Sequence, residues 1–155
     1  MNGLTHWLWC FTNQTVCRYL ITRSRGSPVI KQVLGLVFKG IMICDCWGAY
    51  HTISTLATQR CFYHLFTELV KVDRRNGSPA WRAFRTTWSR LLKDAIRLSQ
   101  RTEVSPATRE RLLSTLKARL ERLIGQPADD PDVKRLIKRL QRHRHELFTF
   151  LEHDR

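Results

Sequence analysis

The chain has 155 residues, 27 of them Lys or Arg against 13 Asp or Glu, for a formal net charge of +14 and a pI near 10.5. That excess points to a polyanionic partner, nucleic acid first and an anionic membrane surface second. No apolar run approaches the ~18 residues of a membrane span, and the N-terminus lacks the basic-then-apolar pattern of a secretory leader. Five cysteines without such a leader read as reduced thiols of a cytosol rather than as a disulfide framework.

Along the chain, Thr5 to Thr12 is rich in aromatic and β-branched residues, Asn13-Gln14 makes a turn, and Thr15 to Thr22 is a second strand, so the pattern predicts a β-hairpin. Ser27-Pro28 opens a short helix that Gly35 closes. The next run, Gly40-Ile41-Met42-Ile43-Cys44-Asp45-Cys46-Trp47-Gly48-Ala49-Tyr50, ends four apolar residues on Asp45, the first acidic residue of the chain. It reads as a buried strand that delivers a carboxylate at its C-terminal end, where open α/β sheets carry their chemistry. A carboxylate there holds a hard cation or moves a proton. The alternative is an Asp that caps the following turn. A small helix near Tyr50 to Leu56, a short strand from Gln59 to Tyr63 and a helix from His64 to Val72 complete an α/β region over residues 1–73.

Asn76-Gly77-Ser78-Pro79 is a linker and a helix start together, and a helical region occupies residues 78–155. Trp81, Phe84, Trp88, Leu91, Leu92, Ala95 and Ile96 fall at helical spacing, with both tryptophans expected to pack inward. Ser105-Pro106 starts a second helix with Leu112, Leu113, Leu116, Leu120, Leu123 and Ile124 as its stripe and Gly125 at its end. Asp130-Pro131-Asp132 starts a third, with Val133, Leu136, Ile137, Leu140, Leu147 and Leu151 on one face and its acids set favourably against the helix dipole. The short joint from Gln126 to Pro131 favours an antiparallel pair.

The basic residues Arg82, Arg85, Lys93, Arg119, Lys134, Arg135, Lys138, Arg139 and Arg142 stand on the outer faces of these helices as candidates for phosphate contact. Such contacts would position DNA without reading its sequence. Glu146, Glu152, His143 and His145 read as solvent-facing residues of an amphipathic helix. Cys44-x-Cys46 with Cys61-x-x-His64 offers four zinc-type ligands. On a strand, however, Cys44 and Cys46 point away from the Asp45 face, and cysteines in such a run are ordinarily core.

Taken together, several segments resemble one family. They are Thr5 to Asn13, Val16 to Ile21, Ser24-Arg25-Gly26-Ser27-Pro28, Lys39 to Tyr50, Arg60-Cys61-Phe62-Tyr63-His64-Leu65, and Arg139 to Leu151. In order and spacing they resemble the central catalytic region of bacterial insertion sequence 66 family transposases, over nearly the whole chain. The resemblance implies an α/β (α+β) fold: a partial RNase H-like mixed sheet followed by an all-helical insertion. It also implies an Asp-Asp-Glu active site that binds two Mg2+ or Mn2+ ions, DNA as partner, self-association in the intact enzyme, and a bacterial cytoplasm. Two-metal chemistry of this kind stabilises the attacking and leaving oxygens of a phosphodiester.

Asp45 corresponds to the family's second Asp and would be a metal ligand; Cys61 and His64 match a pattern near the active site, which makes them candidates for positioning DNA or supporting the ligands. No acid precedes Asp45, and the family's Asn-rich Glu-Arg helix has no counterpart. The expectation is therefore a transposase fragment, truncated at both ends, with one of three catalytic carboxylates and no cleavage or strand transfer of its own. Thr67, Arg23 and Cys46 depart from the family's usual Arg, Asp, and Gly or aromatic. The competing readings are a non-catalytic, basic, helical nucleic-acid-binding protein and a structural zinc module.

Overall fold

A computed structural model describes residues 4–153. The predicted hairpin is present as β1 (Trp7–Thr12) and β2 (Cys17–Thr22), antiparallel with Trp7 opposite Thr22 and Thr12 opposite Cys17. Its turn is set by Asn13, whose Oδ1 accepts from the N–H groups of Thr15 and Val16 at 2.9 and 2.8 Å, the local bond that makes Asn a turn residue. One face of the hairpin carries Leu8, Cys10, Thr12, Cys17, Tyr19 and Ile21, all exposed. On the other, Trp9 is buried, stacks on Phe11 and donates from Nε1 to the Ser24 carbonyl at 3.0 Å. Helix α1 (Ser27–Leu34) buries Val29 and Ile30 and ends at Gly35. The φ of +76° there is left-handed, which only Gly adopts without steric cost.

Strands β3 (Val37–Cys44) and β4 (Ser54–Arg60) form a second ladder. The Ser54 N–H bonds the Leu36 carbonyl at 2.9 Å and the Cys61 N–H bonds the Cys44 carbonyl at 2.8 Å, so the two strands run parallel. The α+β class holds, with antiparallel and parallel pairing divided between two two-stranded ladders. The turn after β3 is a 3₁₀ segment, Gly48–Thr52, rather than a helix reaching Leu56. β4 also lies earlier than the expected Gln59–Tyr63 strand, and helix α2 (Phe62–Asp73) takes Phe62 and Tyr63. The reason is periodicity: Leu65, Leu69 and Val72 form a buried stripe at helical spacing, and this outweighs the strand propensity of the aromatic pair.

The chain divides into two compact units: residues up to Ile41 with Cys46–Leu56, and Met42–Asp45 with the chain from Ala57 onward. The second unit holds α2, α3 (Pro79–Gln100), α4 (Pro106–Ile124), α5 (Pro131–Arg142), a 3₁₀ segment Arg144–Glu146 and α6 (Thr149–Glu152). Helices α3, α4 and α5 each start at the expected cap followed by Pro. Ser78 accepts from the Trp81 N–H, Ser105 from that of Thr108, and Asp130 from those of Asp132 and Val133. Trp81 and Trp88 are buried in this unit with Leu91, Leu92, Leu120 and Leu147, so both tryptophans are core as expected.

The last helix differs from expectation. A single stripe running from Val133 to Leu151 is broken at His143, and Leu147 and Leu151 reach the core from the segments beyond α5. No Gly or Pro marks this stop. His143, at the end of the helix, is buried, and Glu146 lies in the 3₁₀ segment that follows.

Asp130 is more than a cap. Its carboxylate also accepts from the Ser78 hydroxyl at 2.7 Å and from the Asn76 amide at 3.0–3.1 Å, joining the starts of α3 and α5. Those bonds, Ser78 first and Asn76 next, hold its pKa at about 2 against an ordinary 3.8. Because the folded value is depressed, this stabilisation is complete above the unfolded pKa and is lost as pH falls toward about 2. Asp130→Ala is expected to cost about 1–2 kcal/mol near neutral pH, the upper range for a cap. In urea titrations the gap between variant and parent should narrow on acidification; a gap that stays constant would rule this account out.

Candidate functional site

Among the described residues the buried polar or charged side chains are Gln59, Arg60, His143 and Thr149, and all of them belong to one network. It ties the end of β4 to the segment after α5. Gln59 donates from Nε2 to the Leu147 carbonyl at 3.1 Å and accepts the Phe150 N–H at Oε1, also at 3.1 Å. The Thr149 hydroxyl donates to the Thr58 carbonyl at 2.7 Å. At the centre, Arg60 is 1 % exposed. Its Nε donates to Glu146 Oε2 at 2.6 Å, and its Nη1 donates to the Asp45 carbonyl at 2.6 Å and approaches Cys44 Sγ at 3.3 Å.

His143 Nδ1 lies 2.7 Å from the same Glu146 oxygen. An ionised carboxylate only accepts, so Nδ1 carries the hydrogen. Partial burial pushes the Glu146 carboxyl up, but hydrogen bonds from Arg60 and His143, with their charges, outweigh it and the net direction is down.

These residues correct two expectations. Glu146 is not a solvent-facing helix charge but the shared acceptor of Arg60 and His143, and His143 is buried at the end of α5. His145 is exposed as expected, and Glu152 pairs with Lys117. In the sequence Arg60 stands out only as the first residue of Arg60-Cys61-Phe62-Tyr63-His64-Leu65. A lone Arg ending a strand carries no pattern that distinguishes a buried cation from a surface one.

Asp45 follows the last residue of β3 and is partly buried; the strand before it is not buried throughout as expected, because alternate side chains face opposite sides, Met42 and Cys44 inward and Ile43 outward at 68 % exposure. Its main chain is held by Arg60, so the position of the acid is coupled to Glu146 and His143 through a continuous set of hydrogen bonds. Cys61 immediately precedes α2 and makes no side-chain cap bond to it; its N–H donates to the Cys44 carbonyl, while His64 is exposed in the first turn of that helix. Among the described residues no three His, Cys, Asp or Glu side chains gather as a metal-binding group. A two-metal centre needs several oxygen ligands on each ion. Asp45 supplies one carboxylate, and the charged neighbour bonded to its carbonyl is the Arg60 cation. These residues alone do not fit two divalent metals.

The nine candidate phosphate-contacting cations separate into two groups. Arg85 pairs with Asp73 at 3.0 Å, Arg119 with Asp94 at 2.8 Å, and Arg135 with Glu68 at 2.6 Å; Arg139 lies 3.8 Å from Glu68. Arg82, Lys93, Lys134, Lys138 and Arg142 are exposed and form no ion pair among the described residues. Lys134, Lys138 and Arg142 follow one another at four-residue intervals on α5, whose opposite side buries Val133, Leu136, Ile137 and Leu140. They form a continuous cationic stripe.

In the first unit, Arg25 lies 4.8 Å from the centre of the Trp7 ring and 4.4 Å from that of Trp47, a cation held between two aromatic faces. No helix among the described residues is long and apolar enough to cross a membrane.

The model of the transposase IS66 family matches residues 1–155. No curated protein and no solved structure matches the chain.

Proposed function

We propose, from the premise that this chain belongs to the transposase IS66 family, that it acts as a DNA-holding part of a DDE-type transposase and contributes Asp45 to the catalytic acids. The observation that carries this is the strand-end carboxylate, Asp45, whose backbone is fixed by a buried Arg60 anchored on Glu146 and His143. A catalytic acid must be held within a fraction of an ångström, and a buried, fully bonded support supplies that rigidity. The RNase H-like architecture, the division at residues 73 and 78, and roles for Cys61 and His64 in positioning DNA belong to this same proposal.

DNA is the proposed partner. Lys134, Lys138 and Arg142 on α5, which form no ion pair among the described residues, supply the sequence-independent, salt-sensitive part of its binding. Metal-dependent strand transfer and DNA recombination belong to the transposase. The 155 residues taken by themselves bind DNA without cutting it, since one carboxylate does not organise two cations.

The test is to mix the purified chain with supercoiled and duplex DNA in Mg2+ or Mn2+ while measuring binding over a salt series. Salt-sensitive binding without nicking is expected. Nicking that disappears in Asp45→Asn would overturn the inactivity of the isolated chain, and no binding at low salt would overturn its DNA-holding role.

A further inference from the structure

Cys10 and Cys17 stand diagonally across the hairpin. Cys10 is opposite Tyr19 and Cys17 is opposite Thr12, so all four side chains share one face. The two Sγ atoms are 3.6 Å apart. Of the five cysteines these two are the exposed ones, while Cys44 is buried and Cys46 and Cys61 are partly covered. The pair is also chemically asymmetric. Hydrogen bonds from Tyr19 and then from Cys10 favour the Cys17 thiolate and lower its pKa, whereas that of Cys10 is raised, first by its bond to Cys17. The Tyr19 hydroxyl is correspondingly pushed up to about 12 by Cys17. An exposed thiol that ionises more readily, next to a second thiol, is the arrangement in which oxidation is selective and reversible.

We propose that Cys10 and Cys17 are a peroxide-responsive thiol pair that closes to a reversible disulfide across the hairpin. The Cys17 sulfur attacks one oxygen of a hydroperoxide; an S–O bond forms, the O–O bond breaks, and the other oxygen leaves as water or alcohol after taking a proton. Cys10, losing its proton, then attacks the Cys17 sulfur; the S–S bond forms, the S–O bond breaks and water leaves. Overall the two thiols give up two electrons and two protons, and the peroxide is reduced. A small-molecule thiol reverses the step by exchange. The sulfurs must close from 3.6 Å to the ~2.05 Å of the bond. Both strands end there in an open turn, Asn13 to Val16, and Cys10, Thr12, Cys17 and Tyr19 are all exposed, so a small shear of the strands is permitted. A diagonal, exposed bond of this kind is open to reduction rather than locked.

The experiment uses the reduced full chain, treated with stoichiometric hydrogen peroxide. Titratable thiols should fall from five to three. Chymotryptic cleavage at Phe11, which lies between the two cysteines, should leave the fragments linked until a reductant is added. Excess reduced glutathione should restore all five thiols. Cys10→Ser and Cys17→Ser, near-isosteric changes at exposed positions, should each abolish the link. Five thiols persisting after peroxide, a bond joining two copies on a non-reducing gel, the same link surviving in Cys17→Ser, or a link that glutathione does not open would each overturn the proposal.

Discussion

Glu146→Ala should destabilise the second unit by about 3–5 kcal/mol, the range for removing one partner of a buried ion pair. The effect lies on the Arg60 side: its guanidinium is 1 % exposed and cannot regain water when the carboxylate is gone. The bonds to the Asp45 carbonyl and Cys44 Sγ remain, so the cost belongs at the lower end of that range. His143 also loses its acceptor. Urea denaturation of the two proteins measures the difference directly. The double variant Arg60→Met, Glu146→Leu removes both charges and should recover much of the loss, because a buried pair is often no more stabilising than apolar residues of similar size. A single-variant cost below about 1 kcal/mol would show that Arg60 is solvated in solution and the network is not as described. If the double variant folds but Asp45 is displaced, the network acts chiefly to position the acid.

Neutralising Lys134, Lys138 and Arg142 together with glutamine should weaken DNA binding by about three orders of magnitude near 50 mM salt. The estimate follows from counterion release. Each phosphate contact contributes about 0.9 to the slope of log K against log salt, so three contacts account for about 2.7 of it and the slope should become shallower by that amount. The residues are exposed and form no ion pair among the described residues, so folding should be unaffected. Arg85 and Arg119 are already bound to Asp73 and Asp94, and changing them to glutamine should weaken binding far less. Equal effects from the two groups would show that the α5 stripe is not the contact surface.

Much of the organisation was legible locally. Ser78-Pro79, Ser105-Pro106 and Asp130-Pro131 mark three helix starts because an oxygen side chain followed by Pro satisfies the free N–H groups of a first turn and presets its φ. Gly35 is legible as a helix end for a local reason too, since Gly alone takes a φ of +76° without steric cost. Asp45 could be read as a strand-end acid from four apolar residues before it, and the family resemblance was carried by motifs in order, which the family model matches over residues 1–155. The hairpin needed only alternation and a turn residue.

The sequence by itself thus determined the elements, their class, the strand-end position of Asp45 and the basic character of the outer helices. These depend on neighbours within about four residues or on net charge, and both are written locally. Tertiary structure alone decided that Glu146 and His143 leave the helix to meet Arg60, 86 residues apart in the case of Glu146. It decided likewise which cations pair with acids among the described residues, and that Cys10 and Cys17 face each other. Each of these is a pairing between distant or cross-strand groups. Its energy depends on burial and distance, and no local spacing in the chain encodes either.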